Sequence, residues 1–288
     1  MSNKATLAII GGSGLYQMSG LEKAEEIIVD TPFGKPSAPI TIGTLAGVRV
    51  AFLARHGIGH HITPTEVPYR ANIYALKTLG VERVVSINAC GSLREDYAPG
   101  HIVIPDNIFD YTKDRARSFF GEGLVAHVSV ADPFCSDFSN QLESAVRATG
   151  AATHCGGAFI TIEGPRFSTK AESNTYRAWG MSIIGMTASP EAFLAREAEL
   201  CYSIMAHVTD YDVWHESESP VTVEKVIQTL NKNTEIAQEA IRNLARELKP
   251  ERACTCGHSL ATALITNPKV IPPRTRKKLD LLVSKYLK

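Results

Sequence analysis

The chain has 288 residues, 44% of them hydrophobic and 21% charged, with 30 lysines and arginines balanced by 30 aspartates and glutamates. That length buries a substantial core as one large α/β unit or two small ones. A formal net charge of zero removes the electrostatic reason for a nucleic-acid or anionic-membrane partner and leaves small-molecule chemistry as the expectation.

The N-terminal MSNKATLAIIGG carries an apolar run too short to span a bilayer and no signal-peptide cleavage pattern, so a cytoplasmic protein is expected. LAII (7–10) reads as a buried strand that runs into Gly11-Gly12-Ser13-Gly14. Glycines there let backbone N–H groups approach an anion and the Ser13 hydroxyl adds a donor, which suits phosphate. A tight structural turn explains the same residues, and Gln17 stands where a dinucleotide fingerprint needs a third glycine. VRVAFLA (48–54) is a second strand, leading into LARHGIGHH (53–61). Arg55 can offer a bidentate fork to phosphate with His56 beside it. Gly57 and Gly59 oppose a regular helix and no HExxH glutamate is present, so an anion-binding loop is preferred to a metal site.

VPYRANIYALKTLG (67–80) predicts a helix closed by glycine, and RVVSINA (83–89) a strand opening into NACGSLRE. HIVI (101–104) is a further strand, FSNQLESAVRATG (138–150) a helix, and AFITI (158–162) a strand that ends at IEGPRFST. There Gly164-Pro165 breaks the chain and exposes Arg166, Phe167 and Ser168. TKAESNTYRAWG (169–180) predicts another helix, and SIIGM (182–186) a strand leading to the Thr187 hydroxyl, with a new helix from Pro190. SIMAHV (203–208) is a strand that closes in TDYDVW. In an extended segment Asp210 and Asp212 share a face roughly 7 Å apart, so both can address one ligand; a strand-end turn with solvated acids fits equally. Pro220 to about Leu248 is the longest amphipathic segment, with Val223, Val226, Ile227, Leu230, Ile241, Leu244 and Leu248 at helical spacing and Ser219 as cap. PPRTRKKLDLLVSKYLK predicts one C-terminal helix, basic on one side with Leu279, Leu281, Leu282 and Tyr286 on the other.

This alternation predicts an α/β fold in which helices flank a central, largely buried mixed β-sheet. No repeat or long linker divides the chain, so residues 1–288 are expected as one domain that includes the helical segment of about 220–288. Of the six cysteines, most read as small buried hydrophobes in a reducing compartment. Cys254-Thr255-Cys256 could be a strained disulfide or two zinc ligands joined by His258, although no second C-x-x-C or distant His pair completes four ligands at a familiar spacing.

In order along the chain, IGGSGLY, VDTPFGKPS, LARHG, ACGSLRE, TIEGPRFST, MTASPEAFLAREAELCY and TDYDVW resemble the trimeric purine nucleoside phosphorylase family, in its branch acting on 5′-methylthioadenosine. The resemblance implies an α/β fold, a homotrimer or dimer of trimers, and phosphorolysis of a glycosidic bond to adenine and 5-methylthioribose 1-phosphate. Adenosine is a plausible second substrate under this reading, and a 6-oxopurine nucleoside or methylthioinosine phosphorylase is the alternative. It implies Ser13, Arg55, His56, Asn88, Ala89 and Thr187 around phosphate, Met186 along the ribose, and Phe167 and Ser168 as the base-pocket wall. Asp210 and Asp212 match the adenine-reading pair, with Asp210 as the general acid at N7 and Asp212 accepting from the N6 amine. His127 matches a histidine that reaches a neighbouring subunit's methylthio pocket, whose wall includes Val223 and Val226. Asn88 stands where some members have threonine and Gly185 where some have asparagine, while the Cys254/Cys256 pair resembles prokaryotic, especially heat-adapted, members, which adds weight to the disulfide reading and leaves it open. Phosphate is implied as co-substrate, with no metal or other cofactor.

Overall fold

The computed structural model describes residues 4–12, 15, 20–215 and 223–287, with the side chains of 223–232 outside the description. Its strands are β1 (Leu7–Gly11), β2 (Glu22–Ile27), β3 (Ile40–Leu45), β4 (Val48–Ala54), β5 (Arg83–Ser92), β6 (Ile102–Ile104), β7 (Asn107–Tyr111), β8 (Thr153–Cys155), β9 (Ala158–Ile162), β10 (Ile183–Gly185) and β11 (Cys201–Asp210). The helices are α1 (Tyr69–Thr78), α2 (Ser136–Arg147), α3 (Lys170–Ala178), α4 (Ala188–Glu197), α5 (Val223–Glu247), α6 (Pro273–Lys278) and α7 (Asp280–Val283).

All these strands join one mixed sheet, in the order β2-β3-β4-β1-β5-β10-β9-β7, with β11 also paired to β5 and carrying β6 and then β8. Alternation along the strands separates two cores. Leu7 and Ile9 of β1, Val50 and Phe52 of β4, and Val85 and Ile87 of β5 pack with Phe138 and Leu142 of α2 and Ile241 and Leu244 of α5. Their neighbours Ala8, Ile10, Ala51, Leu53 and Val84 face the opposite layer, with Ile73 and Leu76 of α1 and Leu194 and Ala195 of α4. The expected helix-flanked mixed sheet is therefore present.

β5 is where this sheet forks. Its first residues, Arg83–Ser86, pair in parallel with β1, and Gly91 and Ser92 pair antiparallel with β10. Residues 87–90 pair with β11 on one side but with neither β1 nor β10 on the other. A strand edge released in the middle of a buried sheet is a place where loops and ligand groups can enter.

Several expected strands and helices are found within a few residues, and other elements differ. β2 is highly charged and exposed along most of its length, as an edge strand that resists further pairing should be, so it carries little apolar signal. β7 alternates between exposed and half-buried residues, and β8 has only three residues. The C-terminal segment is two short helices broken at Leu279 instead of one. The break brings Leu279, Leu282, Val283 and Leu287 all into the α1–α4 core, whereas a single helix presents one apolar stripe; Leu281, expected on that stripe, is exposed.

Candidate active site

Arg55, at the end of β4, is buried and saturated. Its Nε donates to Glu191 Oε2 at 2.9 Å and its Nη2 to Glu191 Oε1 at 3.1 Å, while Nη1 donates to the Ile87 carbonyl at 3.1 Å. Nη2 also reaches Ser86 Oγ at 2.5 Å. Burial opposes its charge, but the Glu191 carboxylate more than offsets this and raises the guanidinium above its ordinary range. The fork expected to face phosphate is thus engaged by Glu191. Glu191 is fully buried in α4, accepts from the Tyr202 hydroxyl at 2.8 Å, and lies 2.7 Å from Ser86 Oγ. Ser86 Oγ is in turn 2.9 Å from Asn88 Oδ1, and Asn88 Nδ2 donates to Thr187 Oγ1 at 2.8 Å. One continuous polar network therefore fixes Arg55, Asn88 and Thr187 beside the free stretch of β5.

His56 follows at the rim. Its Nδ1 lies 2.9 Å from the Ile62 carbonyl oxygen, so that nitrogen carries the proton and the other is an acceptor. Burial, reinforced by the Arg55 charge, lowers its pKa to about 4, which keeps the ring neutral near pH 7. The ring stacks on His60 at 4.3 Å. Ala89 is half-buried on β5 and Met186 half-buried after β10. Ser13 lies outside the described residues, as do the side chains of Val223 and Val226 on α5.

The acids come together at the end of β11. The register with β5 shifts between Val208 and Asp210, which leaves Thr209 as the extra residue and sets Asp210 opposite Gly91. Asp210 accepts from the Thr209 hydroxyl at 2.6 Å and from the Asp212 N–H at 2.8 Å, closing a turn in which Asp212 adopts φ +52°. Trp214 anchors that turn: its indole N–H donates to the Ser92 carbonyl at 2.7 Å and Arg177 lies 3.4 Å above its ring. Both acids are consequently buried, at 5% and 7% exposure, and the solvated-turn alternative fails.

Burial is the main cause that raises the Asp212 carboxyl to about 6, with the Asp210 charge adding to it; the nearby Ser173 and Ser168 hydroxyls and the Val213 N–H pull the other way. Asp212 Oδ2, Ser168 Oγ and Ser173 Oγ are nevertheless buried without a completed hydrogen bond. Three polar atoms left this way at one place are suited to an incoming polar molecule. Phe167, 40% exposed, borders Ser168 just ahead of α3, whose first turn is set by a capping box between Thr169 and Glu172.

Sequence reasoning alone misses Glu191, Ser86, Gly91 and Arg115. A Cβ at Gly91 would meet Asp210 Oδ1 and Ile184 Cγ2 at 3.0 Å. Arg115 clamps the loops behind the site, donating from Nη1 to the Met186 and Ser189 carbonyls at 2.6 and 2.7 Å and from Nε to Glu163 at 3.1 Å. The spacing of Glu191 just after Thr187 and Pro190, and of Ser86 two residues before Asn88, was a usable signal; nothing local singles out Arg115. His127 does not join this cluster within the chain. It sits exposed on a loop, its N–H donating to the Ala263 carbonyl at 2.9 Å. An open surface cleft of about 590 Å³, lined by residues including Arg94, Glu95, Asp96 and Arg177, contains none of the expected residues, and its charged, open lining does not suit a nucleoside.

An anion-suited network and a buried acid pair on one forked mixed sheet define a nucleoside-phosphorylase type of α/β protein. Residues 6–246 match the phosphorylase superfamily, and the chain belongs to it. It is 52% identical over 282 residues to the S-methyl-5′-thioadenosine phosphorylase of Geobacter sulfurreducens, covering 98% of this chain and 99% of that one. It is 53% identical over 268 residues to the protein of the same name from Hyperthermus butylicus, covering 92% and 97%. A methylthioadenosine phosphorylase structure from an antarctic soil metagenomic library is similar with a TM-score of 0.91 at 47% identity, covering 97% of this chain and 99% of that one. A Schistosoma mansoni methylthioadenosine phosphorylase in complex with adenine has a TM-score of 0.83 at 34% identity, with 98% of both chains covered. Within the superfamily the chain is a member of the S-methyl-5′-thioadenosine phosphorylase family.

Proposed function

We propose that this enzyme catalyses phosphorolysis of S-methyl-5′-thioadenosine to adenine and 5-methylthioribose 1-phosphate, with adenosine as a second substrate. The observation that carries the reading is the placement of both clusters along β5. Asn88, in the polar network, and Gly91, against the acid pair, are three residues apart, about 10 Å along a strand. That separation leaves room for a ribose between a purine edge and a phosphate.

Cleavage from C1′ to N9 drives negative charge into the purine while the sugar becomes cation-like. Asp212, whose carboxyl burial and the Asp210 charge raise to about 6, can hold the proton that the pair shares. Asp210 is locked by Thr209 and the Asp212 N–H into a fixed acceptor. The pair donates one proton to N7 and accepts from the N6 amine, acting as a unit. The sequence reading gave the proton to Asp210 with Asp212 supporting it; here the proton is assigned to the pair. Thr187, Asn88, the Ala89 backbone and Ser13 receive phosphate, with neutral His56 accepting from a protonated phosphate oxygen. Arg55 serves phosphate chiefly by holding this network. Phe167 and Ser168 border the base and Met186 the sugar. A 6-oxopurine enzyme is not favoured, since both acids present carboxyl groups and the named relatives are adenine-nucleoside enzymes.

A homotrimer fits the surface. Phe109, Tyr111 and Trp179 cluster while 39%, 42% and 50% exposed, and Val125, Val130 and Ile265 are exposed near the loop of His127. Such apolar patches suit subunit contacts, which would carry His127 toward a neighbour's methylthio pocket beside Val223 and Val226. No helix among the described residues is long and apolar enough to cross a membrane.

Product analysis with methylthioadenosine, with and without phosphate, tests this function. Phosphate-dependent release of adenine and the sugar 1-phosphate is expected. Release of free methylthioribose without phosphate would make the protein a hydrolase.

A further inference from the structure

Far from the acid pair, the fold gathers cysteines that the sequence scatters. Cys135 precedes α2, Cys201 opens β11, and Cys254 and Cys256 follow α5, Cys256 beginning a single 3-10 turn. All are free thiols, and their four sulfurs lie within 4.8 Å of one another, with Cys201 and Cys254 3.3 Å apart. We propose that these four cysteines form a structural tetrathiolate site for zinc.

A tetrahedral zinc with bonds of about 2.3 Å places its sulfurs roughly 3.8 Å apart, within the span this cluster already has. Cys135, Cys201 and Cys256 are buried and Cys254 half-buried, as suits a closed structural site without an open coordination position. Zinc with four thiolates carries two net negative charges, and two guanidiniums stand against it. Arg196 Nη1 is 3.3 Å from Cys256 Sγ, and Arg252 lies beside Cys201 and Cys254. Arg196 Nε is buried without a partner, which fits a cation whose counter-charge is incomplete until thiolates form. His258, the third ligand suggested by local spacing, is outside the cluster. Sequence reading misses the site because its other two ligands are lone cysteines on distant elements.

Cys201 and Asp210 occupy opposite ends of β11, about 30 Å apart for a strand of that length. The site therefore does not take part in phosphorolysis. It ties the segment after α5 to the sheet and to α2, and that segment continues into the helices that cover the α1–α4 core.

The test uses the full chain, purified under reducing conditions without chelator. About one zinc per chain by elemental mass spectrometry is expected, released as a mercurial exchanges each zinc–sulfur bond of the four cysteines for a mercury–sulfur bond. Cobalt(II) supplied to the stripped protein should give the thiolate charge-transfer and tetrahedral d–d bands. A Cys254→Ser/Cys256→Ser double variant should lose metal and several degrees of Tm while retaining methylthioadenosine turnover at low temperature. If that variant does not fold, the cobalt spectrum of the unsubstituted chain decides. A chain that binds neither zinc nor cobalt, or whose cysteines are paired as disulfides by alkylation mass, overturns the proposal.

Discussion

Gly91 shows how little space separates the acids from the sheet. A methyl group there would press on Asp210 Oδ1, Ile184 and Asp212 Cβ at 3.0, 3.0 and 3.2 Å, so Gly91→Ala should displace the pair. The expected outcome is at least a tenfold loss of kcat/KM for adenine nucleosides with a small change in stability, measured by steady-state kinetics beside thermal unfolding. Asp212→Asn removes the raised carboxyl outright and should lower turnover by roughly 100-fold or more. Because Asp212 releases its proton as pH rises through about 6, kcat/KM at saturating phosphate should fall on the alkaline side, and this limb should vanish in the variant. An unchanged profile in a folded variant removes Asp212 from proton transfer. At this scale the motif TDYDVW announced the pair, but not its burial. Asp210 and Asp212 become buried because Thr209 bulges against β5 and Trp214 locks onto Ser92, and these β5 partners lie far away in sequence. Gly185, noted as a departure, has a physical reason: a Cβ there would meet the Phe159 ring at 2.6 Å.

Among the elements, β5 and α4 carry the site. The Arg55–Glu191 pair joins the end of β4 to α4 inside a water-poor core, where removing one partner strands the other's charge. Arg55→Met should therefore cost about 3–5 kcal/mol of stability in denaturant unfolding and raise the KM for phosphate. A variant as stable as the parent would mean that the pair is not a buried network. Apolar runs made β1, β4, β5, β9 and β11 legible because both their faces are covered. β2 was not legible because an exposed edge strand need not be apolar, and the fork in β5 was not because register is a property of partners that the strand itself does not encode.

For the whole molecule, the surface rather than the core distinguishes the expected assembly. Trp179→Glu should disperse the proposed trimer in sedimentation, and His127→Ala should raise the KM for methylthioadenosine more than that for phosphate if His127 serves a neighbour's site. The pH dependence of stability is a further global consequence. Burial lifts the Glu197 carboxyl to about 7 against hydrogen bonds from Ser118 and the Phe119 N–H. A raised carboxyl stabilises the fold fully below its unfolded value near 4.5, and that contribution disappears as pH rises through about 7. Relative to Glu197→Gln, the parent should thus lose about 3 kcal/mol between pH 4.5 and 8 in urea unfolding; a constant difference would contradict it. The fold was open to sequence reading because helix and strand patterns alternate throughout, whereas the cysteine cluster, assembled from α2, β11 and the segment after α5, was visible only in three dimensions.

The central claim is that one nucleoside bridges the acid pair and the Asn88–Thr187 network. A crystal structure with adenine and inorganic phosphate bound together tests it most directly. The account predicts the N6–N7 edge of adenine on Asp210 and Asp212, and phosphate against Thr187, Asn88 and Ala89, with a ribose-sized gap along β5. Adenine turned away from the acids, or phosphate held anywhere but this stretch of β5, would contradict it.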